Sequence, residues 1–152
     1  MGTLARMVRQ ECVLLDVDVS AKAEILSCLI QSLYDAGYLS DTELLRRDIM
    51  AREAQASTNI GYGCAVPHAH SAALDKSLLA IARLAHPLEA DTPDGQPVNL
   101  VFLLAGPRDS AGLHLKLLSK LVRLLHDADL RQALLSAADS QAICHLLLEK
   151  DT

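Results

Sequence analysis

"VNLVFLLA", residues 98–105, holds one polar side chain, Asn99, in eight positions. An apolar run of that length without alternation suits a strand buried on both faces, so it predicts the central strand of a sheet covered by helices on both sides. Upstream, "SLLAIARLA" (77–85) predicts a second strand, joined to the first by the turn-rich "HPLEADTPDGQP". Near the start, "CVLLDVDV" (12–19) is β-branched and bounded by acids, which suits a short strand. The next segment repeats Ile25, Leu26, Leu29, Ile30 and Leu33 at helical spacing, with Ser20 as N-cap and Gly37 at the left-handed C′ position. "SDTE" (40–43) matches a capping box and opens a helix that carries Leu44, Leu45, Ile49 and the basic Arg46, Arg47 and Arg52. Beyond residue 105, "LHLKLLSKLVRLL", "DADLRQALLSA" and "DSQAICHLLLEK" predict three more helices, the last two with Asp caps. The expected fold is α/β: a layered sandwich with a central mixed β-sheet flanked by helices on both faces, forming one domain over 1–152.

Composition narrows the function. Of 152 residues, 51% are hydrophobic but only 3% aromatic, with no Trp, so the core is aliphatic. The net charge of -5, with both signs interspersed and no basic run, argues against nucleic-acid or anionic-membrane partners. No apolar stretch approaches the roughly 18–20 residues that cross a bilayer, and "MGTLARMVRQE" lacks the apolar region of a signal peptide. A cytoplasmic protein without direct membrane insertion is expected. Cys12, Cys28, Cys64 and Cys144 are irregularly spaced among apolar residues and read as reduced thiols.

Chemistry concentrates in "GYGCAVPHAH", residues 61–70. Pro67 removes a backbone donor and pushes Val66 toward an extended conformation, so the chain leaves its strand abruptly with the His68 imidazole at the edge. Gly61 and Gly63 let backbone approach a ligand. Three readings of His68 follow. It is a hydrogen-bonded structural histidine. Or it is a metal ligand with Cys64 and His70, although no closely spaced Cys, Asp or Glu completes a familiar set. Or it is a nucleophile for a phosphoryl group, its neutral form offering a lone pair near pH 7. The last requires cations or donors around the phosphoryl oxygens. Arg52 supplies a bidentate fork, and His114 stands at the start of a predicted helix, where free N–H groups and the dipole favour negative charge. His86, His126 and His145 read as surface or capping residues.

"STNIGYGCAVPH" resembles the active-site segment of the type 2 IIA proteins of the bacterial phosphoenolpyruvate-dependent phosphotransferase system, in its fructose, mannitol and nitrogen-regulatory branch. In that family an Arg precedes a Gly-x-Gly-x-Ala-x-Pro-His loop whose His is phosphorylated, and a second His begins a late helix. Here Arg52 in "MAREAQAST" and His114 in "GLHLKLLSKL" stand in those positions, and "DGQPVNLVFLLAGP" resembles the family's central strand. The similarity spans roughly residues 10 to 149. Asn59 stands where Gly is common, Ala69 follows the active His in place of Gly, and His70 is an additional imidazole flanking the site.

The resemblance implies that His68 takes a phosphoryl group from an HPr-like phosphocarrier protein and passes it to a IIB-type acceptor, with Arg52 and His114 on the phosphoryl oxygens. It implies no metal, nucleotide or organic cofactor. The alternative is a nitrogen-type regulatory module whose His68 phosphorylation state selects a protein partner. No attached IIB or IIC segment lies within these residues, which points to a free-standing carrier or regulator.

Overall fold

The run 98–105 lies where its composition places it, in the middle of a six-stranded sheet. The computed structural model describes residues 3–151. In chain order the elements are α1 (Thr3–Met7), β1 (Val8–Val17), α2 (Lys22–Asp35), α3 (Thr42–Gln55), β2 (Asn59–Gly61), β3 (Cys64–Ala65) and β4 (His68–His70). They continue with β5 (Leu78–Leu88), β6 (Val98–Gly106), α4 (Ala111–Leu125), α5 (Ala128–Ser136) and α6 (Ser140–Lys150). One edge of β6 pairs antiparallel with β5, which pairs parallel with β1. Its other edge pairs parallel first with β3, at Leu100 and Val101, then with β4, from Leu104 to Gly106. β2 adds antiparallel to β3. The sheet is mixed, as the alternation of elements predicts.

Helices cover both faces. On one, Ala80, Ala82, Val101, Leu103 and Ala105 meet Ile25, Leu29 and Leu33 of α2 and Leu45 and Ile49 of α3. On the other, Leu79, Ile81, Leu100, Phe102 and Leu104 meet Leu117, Leu121 and Leu125 of α4, Leu130 and Leu134 of α5, and Ile143 and Leu147 of α6. Three alanines at the centre of the first face leave space for the large side chains of the helices.

Local chemistry corrects several expected boundaries. Ser20 does not cap α2: its hydroxyl donates to Glu24 Oε1 (2.8 Å), and Ala21 occupies the N-cap. Asp41, not Ser40, caps α3 by accepting from Leu44 N (3.1 Å), while Ser40 Oγ donates to Ala73 O (3.2 Å). A carboxylate there also complements the helix dipole. Gly37 has φ +86°, the left-handed exit expected of it. Asp127 and Asp139 cap α5 and α6 as read from the sequence. β1 begins four residues before the expected strand and is preceded by the short helix α1, which has no periodic signature in the sequence. All four cysteines are free, with Cys12 and Cys64 buried.

One buried cation joins sheet to helix. Arg83 on β5 is 8% exposed, pairs with Asp16 on β1 (Nε to Oδ1, 3.1 Å), and donates Nη1 to the carbonyls of Leu134 (3.1 Å) and Ala137 (2.8 Å) at the end of α5. Substituting Arg83→Ala strands those carbonyls, while the exposed Asp16 carboxylate is left to solvent. The expected loss is about 2–4 kcal/mol of stability, measured by urea unfolding.

Candidate functional site

Pro67 separates β3 from β4 without ending pairing to β6. Having no N–H, it contributes only its carbonyl, which accepts from Leu104 N (3.0 Å). Immediately after it the chain re-enters the sheet, His68 opposite Leu104 and His70 opposite Gly106. The expectation that Pro67 ends a strand therefore needs correction: the proline interrupts the strand, and His68 opens the next one. Strand alternation sends Ala69 to the α2/α3 face and both imidazoles to the face covered by α4.

His68 is half-buried, and its Nδ1 lies 2.9 Å from Val66 O. A carbonyl oxygen only accepts, so Nδ1 carries the proton and the neutral ring keeps its lone pair on Nε2. The structural-histidine reading is thus right about one nitrogen and leaves the other free for chemistry.

His114 comes from the opposite direction, on the first turn of α4. It is 4% exposed, its ring centroid is 4.4 Å from that of His70, and neither ring nitrogen has a hydrogen-bond partner among the described residues. Burial, then the neighbouring His70 and His68, push its pKa down to about 4, so the ring is neutral at physiological pH. His68, His70 and His114 line a depression of about 180 Å³, closed by Leu104, Ala111, Leu115 and Leu118. Ala111 places the beginning of α4 on its rim. Ser110 forms no side-chain cap there, its hydroxyl donating instead to Pro107 O (2.5 Å), so the leading N–H groups remain available to an anion.

Arg52 lies half-buried in the last turn of α3, a helix packed against β4. Its guanidinium makes no hydrogen bond or ion pair among the described residues, and it is not in the lining of the depression. One turn earlier, Asp48 shares its side of the helix. Asp48 Oδ1 is 4.0 Å from Nη2 of Arg108, in the loop between β6 and α4, and its Oδ2 is buried without a partner. That contact sets this side of α3 alongside the loop joining Gly106 to His114. The structure brings three imidazoles together and leaves Arg52 outside the lining of their depression.

Sequence reasoning missed Asp48 and Arg108, whose signals were an i, i+4 spacing to Arg52 and a place directly after Gly-Pro. The metal reading loses its sulfur ligand. Cys64 pairs with Leu100 and His68 with Leu104, four residues or about 13 Å apart along β6. Among the described residues no group of three His, Cys, Asp or Glu side chains is placed to hold a metal ion. His126 caps α4 and stacks edge-on against Tyr62 at 5.2 Å, and His86 and His145 are exposed. Among the described residues no helix is long and apolar enough to cross a membrane.

Comparison with known proteins identifies the family and the fold. The family model described as phosphoenolpyruvate-dependent sugar phosphotransferase system, EIIA 2, matches residues 6–150. The chain is 32% identical to a fructose-specific EIIA component of Haloferax volcanii over 139 residues, covering 91% of this chain and 90% of that protein. It is 30% identical to a fructose-specific EIIABC component of Bacillus subtilis, covering 97% of this chain but only 23% of that protein. It is 41% identical over 99 residues to a nitrogen regulatory protein of Bradyrhizobium diazoefficiens, covering 65% of each. Among solved structures, nitrogen regulatory protein IIA-Ntr from Neisseria meningitidis superposes with a TM-score of 0.86 at 27% identity, covering 95% of this chain and 98% of that one. The fold is also that of IIA mannitol from Escherichia coli, with a TM-score of 0.75 at 20% identity, covering 91% and 97%.

Two outcomes follow from His114. Its folded-state pKa lies below the unfolded value near 6.5, so its contribution to stability is complete above about pH 6.5 and is lost as pH falls toward 4. The urea midpoint should drop over that window, and by less in His114→Gln, the difference being on the order of 2 kcal/mol. Gly106→Ala puts a methyl into the space held by His114 Nε2 and Ser77 Oγ. The overpacking should cost about 1–3 kcal/mol in urea unfolding and move the His114 ring resonances.

Proposed function

We propose, from the premise that this chain belongs to the EIIA type 2 family of the phosphoenolpyruvate-dependent sugar phosphotransferase system, that His68 Nε2 is its phosphoryl-accepting nucleophile. The observation that carries the reading is the hydrogen bond from Nδ1 to Val66 O, which leaves the Nε2 lone pair in a depression shared with two further imidazoles and the start of a helix. In the reaction, Nε2 attacks phosphorus on a phosphorylated HPr-like carrier, the carrier's N–P bond breaks, and its imidazole recovers the electron pair. Val66 O stabilises the positive charge developing on the His68 ring. The neutral His114 ring donates to a phosphoryl oxygen, the free N–H groups of α4 add partial positive charge, and Arg52 closes on the group from α3. Passage to a IIB-type acceptor is the same step reversed. Phosphoryl transfer demands positioning and charge stabilisation, which these side chains supply without metal or organic cofactor.

A second reading is regulation, in which the phosphorylated and free forms choose different protein partners. The likeness to nitrogen regulatory proteins of Bradyrhizobium and Neisseria favours it, and it uses the same chemistry at His68. Rapid phosphate transfer to a cognate IIB protein supports uptake; stable phosphorylation with partner capture that depends on the state of His68 supports regulation.

Incubation with phosphoenolpyruvate, enzyme I and HPr, followed by mass-spectrometric mapping of acid-labile phosphate, tests the assignment. Label is expected on His68 and absent in His68→Ala. His114→Ala and Arg52→Ala should slow labelling by about 10²–10³-fold, the usual effect of losing one positioned donor. Full labelling of His68→Ala would refute the proposal.

A further inference from the structure

Three strands meet in one row beneath His114. β4 pairs His70 with Gly106, and on the other edge of β6 the ladder with β5 pairs Leu78 with Ala105. One step further along that ladder, Ser77 falls opposite Gly106. Cross-strand neighbours present side chains on the same face. His70 and Ser77 therefore flank a position without a side chain, on the face that α4 covers. A methyl added to Gly106 would overlap both His114 Nε2 and Ser77 Oγ, and would lie 3.2 Å from His114 Cε1. The ring nitrogen and the hydroxyl thus border a single methyl-sized space. Ser77 is 5% exposed and His114 4%, and neither the hydroxyl nor either ring nitrogen has a partner among the described residues.

Buried polar groups are rarely left unpaired, and a serine hydroxyl turns about one bond to reach a neighbour. We propose that Ser77 is a positioning residue, its hydroxyl donating to His114 Nε2 and thereby fixing the single proton of that ring on Nδ1, the nitrogen left to donate to a phosphoryl oxygen. The use made of that proton rests on the phosphoryl-transfer reading above; the geometry does not. The direction follows from the inventory of donors. His114 is neutral and has one N–H, whereas a serine hydroxyl both donates and accepts. Were Ser77 to accept from Nε2, a bare Nδ1 lone pair would face an anionic oxygen, acceptor against acceptor. No proton changes hands: the hydroxyl keeps its hydrogen and the ring keeps its own. Gly106 is the structural condition, since any side chain there would separate the two groups.

Two measurements decide it. Long-range ¹H–¹⁵N correlation of the histidine rings at neutral pH should find Nδ1 of His114 protonated in the native chain, and that preference weakened in Ser77→Ala. Phosphoryl transfer from phosphorylated HPr should slow about tenfold in Ser77→Ala, the factor one hydrogen bond is worth in a transition state. The same substitution should add almost nothing in a His114→Ala background. A protonated Nε2 in the native chain, an unchanged tautomer in Ser77→Ala, or slowing that persists without His114 would each overturn the proposal. If the native chain takes no label on His68, the phosphoryl-transfer reading fails by itself. The ring nitrogens then still decide the Ser77–His114 pairing.

Discussion

The parallel pairing of β4 with the last three residues of β6 is the constraint from which the site follows. It fixes His68 over Leu104 and His70 over Gly106, and strand alternation then gives both rings the same face. A shift of one residue would turn both rings toward α2 and α3, into a layer of leucine and isoleucine. Two features hold the register: Pro67, whose carbonyl already accepts from Leu104 N, and the Ser71 N–H, which closes the other end on Gly106 O (2.8 Å). Three residues of strand need such clamps, because a ladder this short has little cooperativity of its own.

Above that row the packing of α4 determines electrostatics. Its leucines bury one side of the helix against Leu79, Phe102 and Leu104, and this draws His114 from the first turn into the core with them. Burial removes the option of charge, since an imidazolium without a counterion in low dielectric is costly. The result is a neutral ring beside two other imidazoles, with aliphatic walls from Leu104, Leu115 and Leu118. In such surroundings a hydrogen bond to an arriving anion is worth more than it would be in water.

Most of the architecture was legible because it depends on period and composition. The run 98–105, apolar at every position but Asn99, suits a doubly covered strand, and the spacing of Ile25, Leu29 and Leu33 suits a helix facing a core. The departures fall where two side chains compete for one backbone role. Ser40 and Asp41 are both good caps by type, but Ser40 donates to Ala73 O while Asp41 keeps its carboxylate on Leu44 N. The motif around His68 was legible too, whereas its neighbours were not. Ser77 and Gly106 are 29 positions apart and carry no pattern, and they meet only because β5 returns antiparallel along β6. Asp48 and Arg108 likewise depend on α3 lying beside the β6–α4 loop, a tertiary fact without a local signature.

The distribution of charge bears on how such a site works in the proposed reaction. Inside the depression are three imidazoles, of which the buried His114 is held neutral, and the polar end of a helix. The full positive charges stand outside it, Arg52 on the last turn of α3 and Arg108 on the loop, the latter in a loose contact with Asp48. A permanent guanidinium in place of His114 would have to be desolvated in the free protein, or would draw a carboxylate into the depression and block it. A neutral His114 within and guanidinium groups outside the lining avoid both. In the reaction proposed above, the negative charge of the phosphoryl group arrives with one carrier and leaves with the next, so the site needs donors that tolerate both the presence and the absence of an anion.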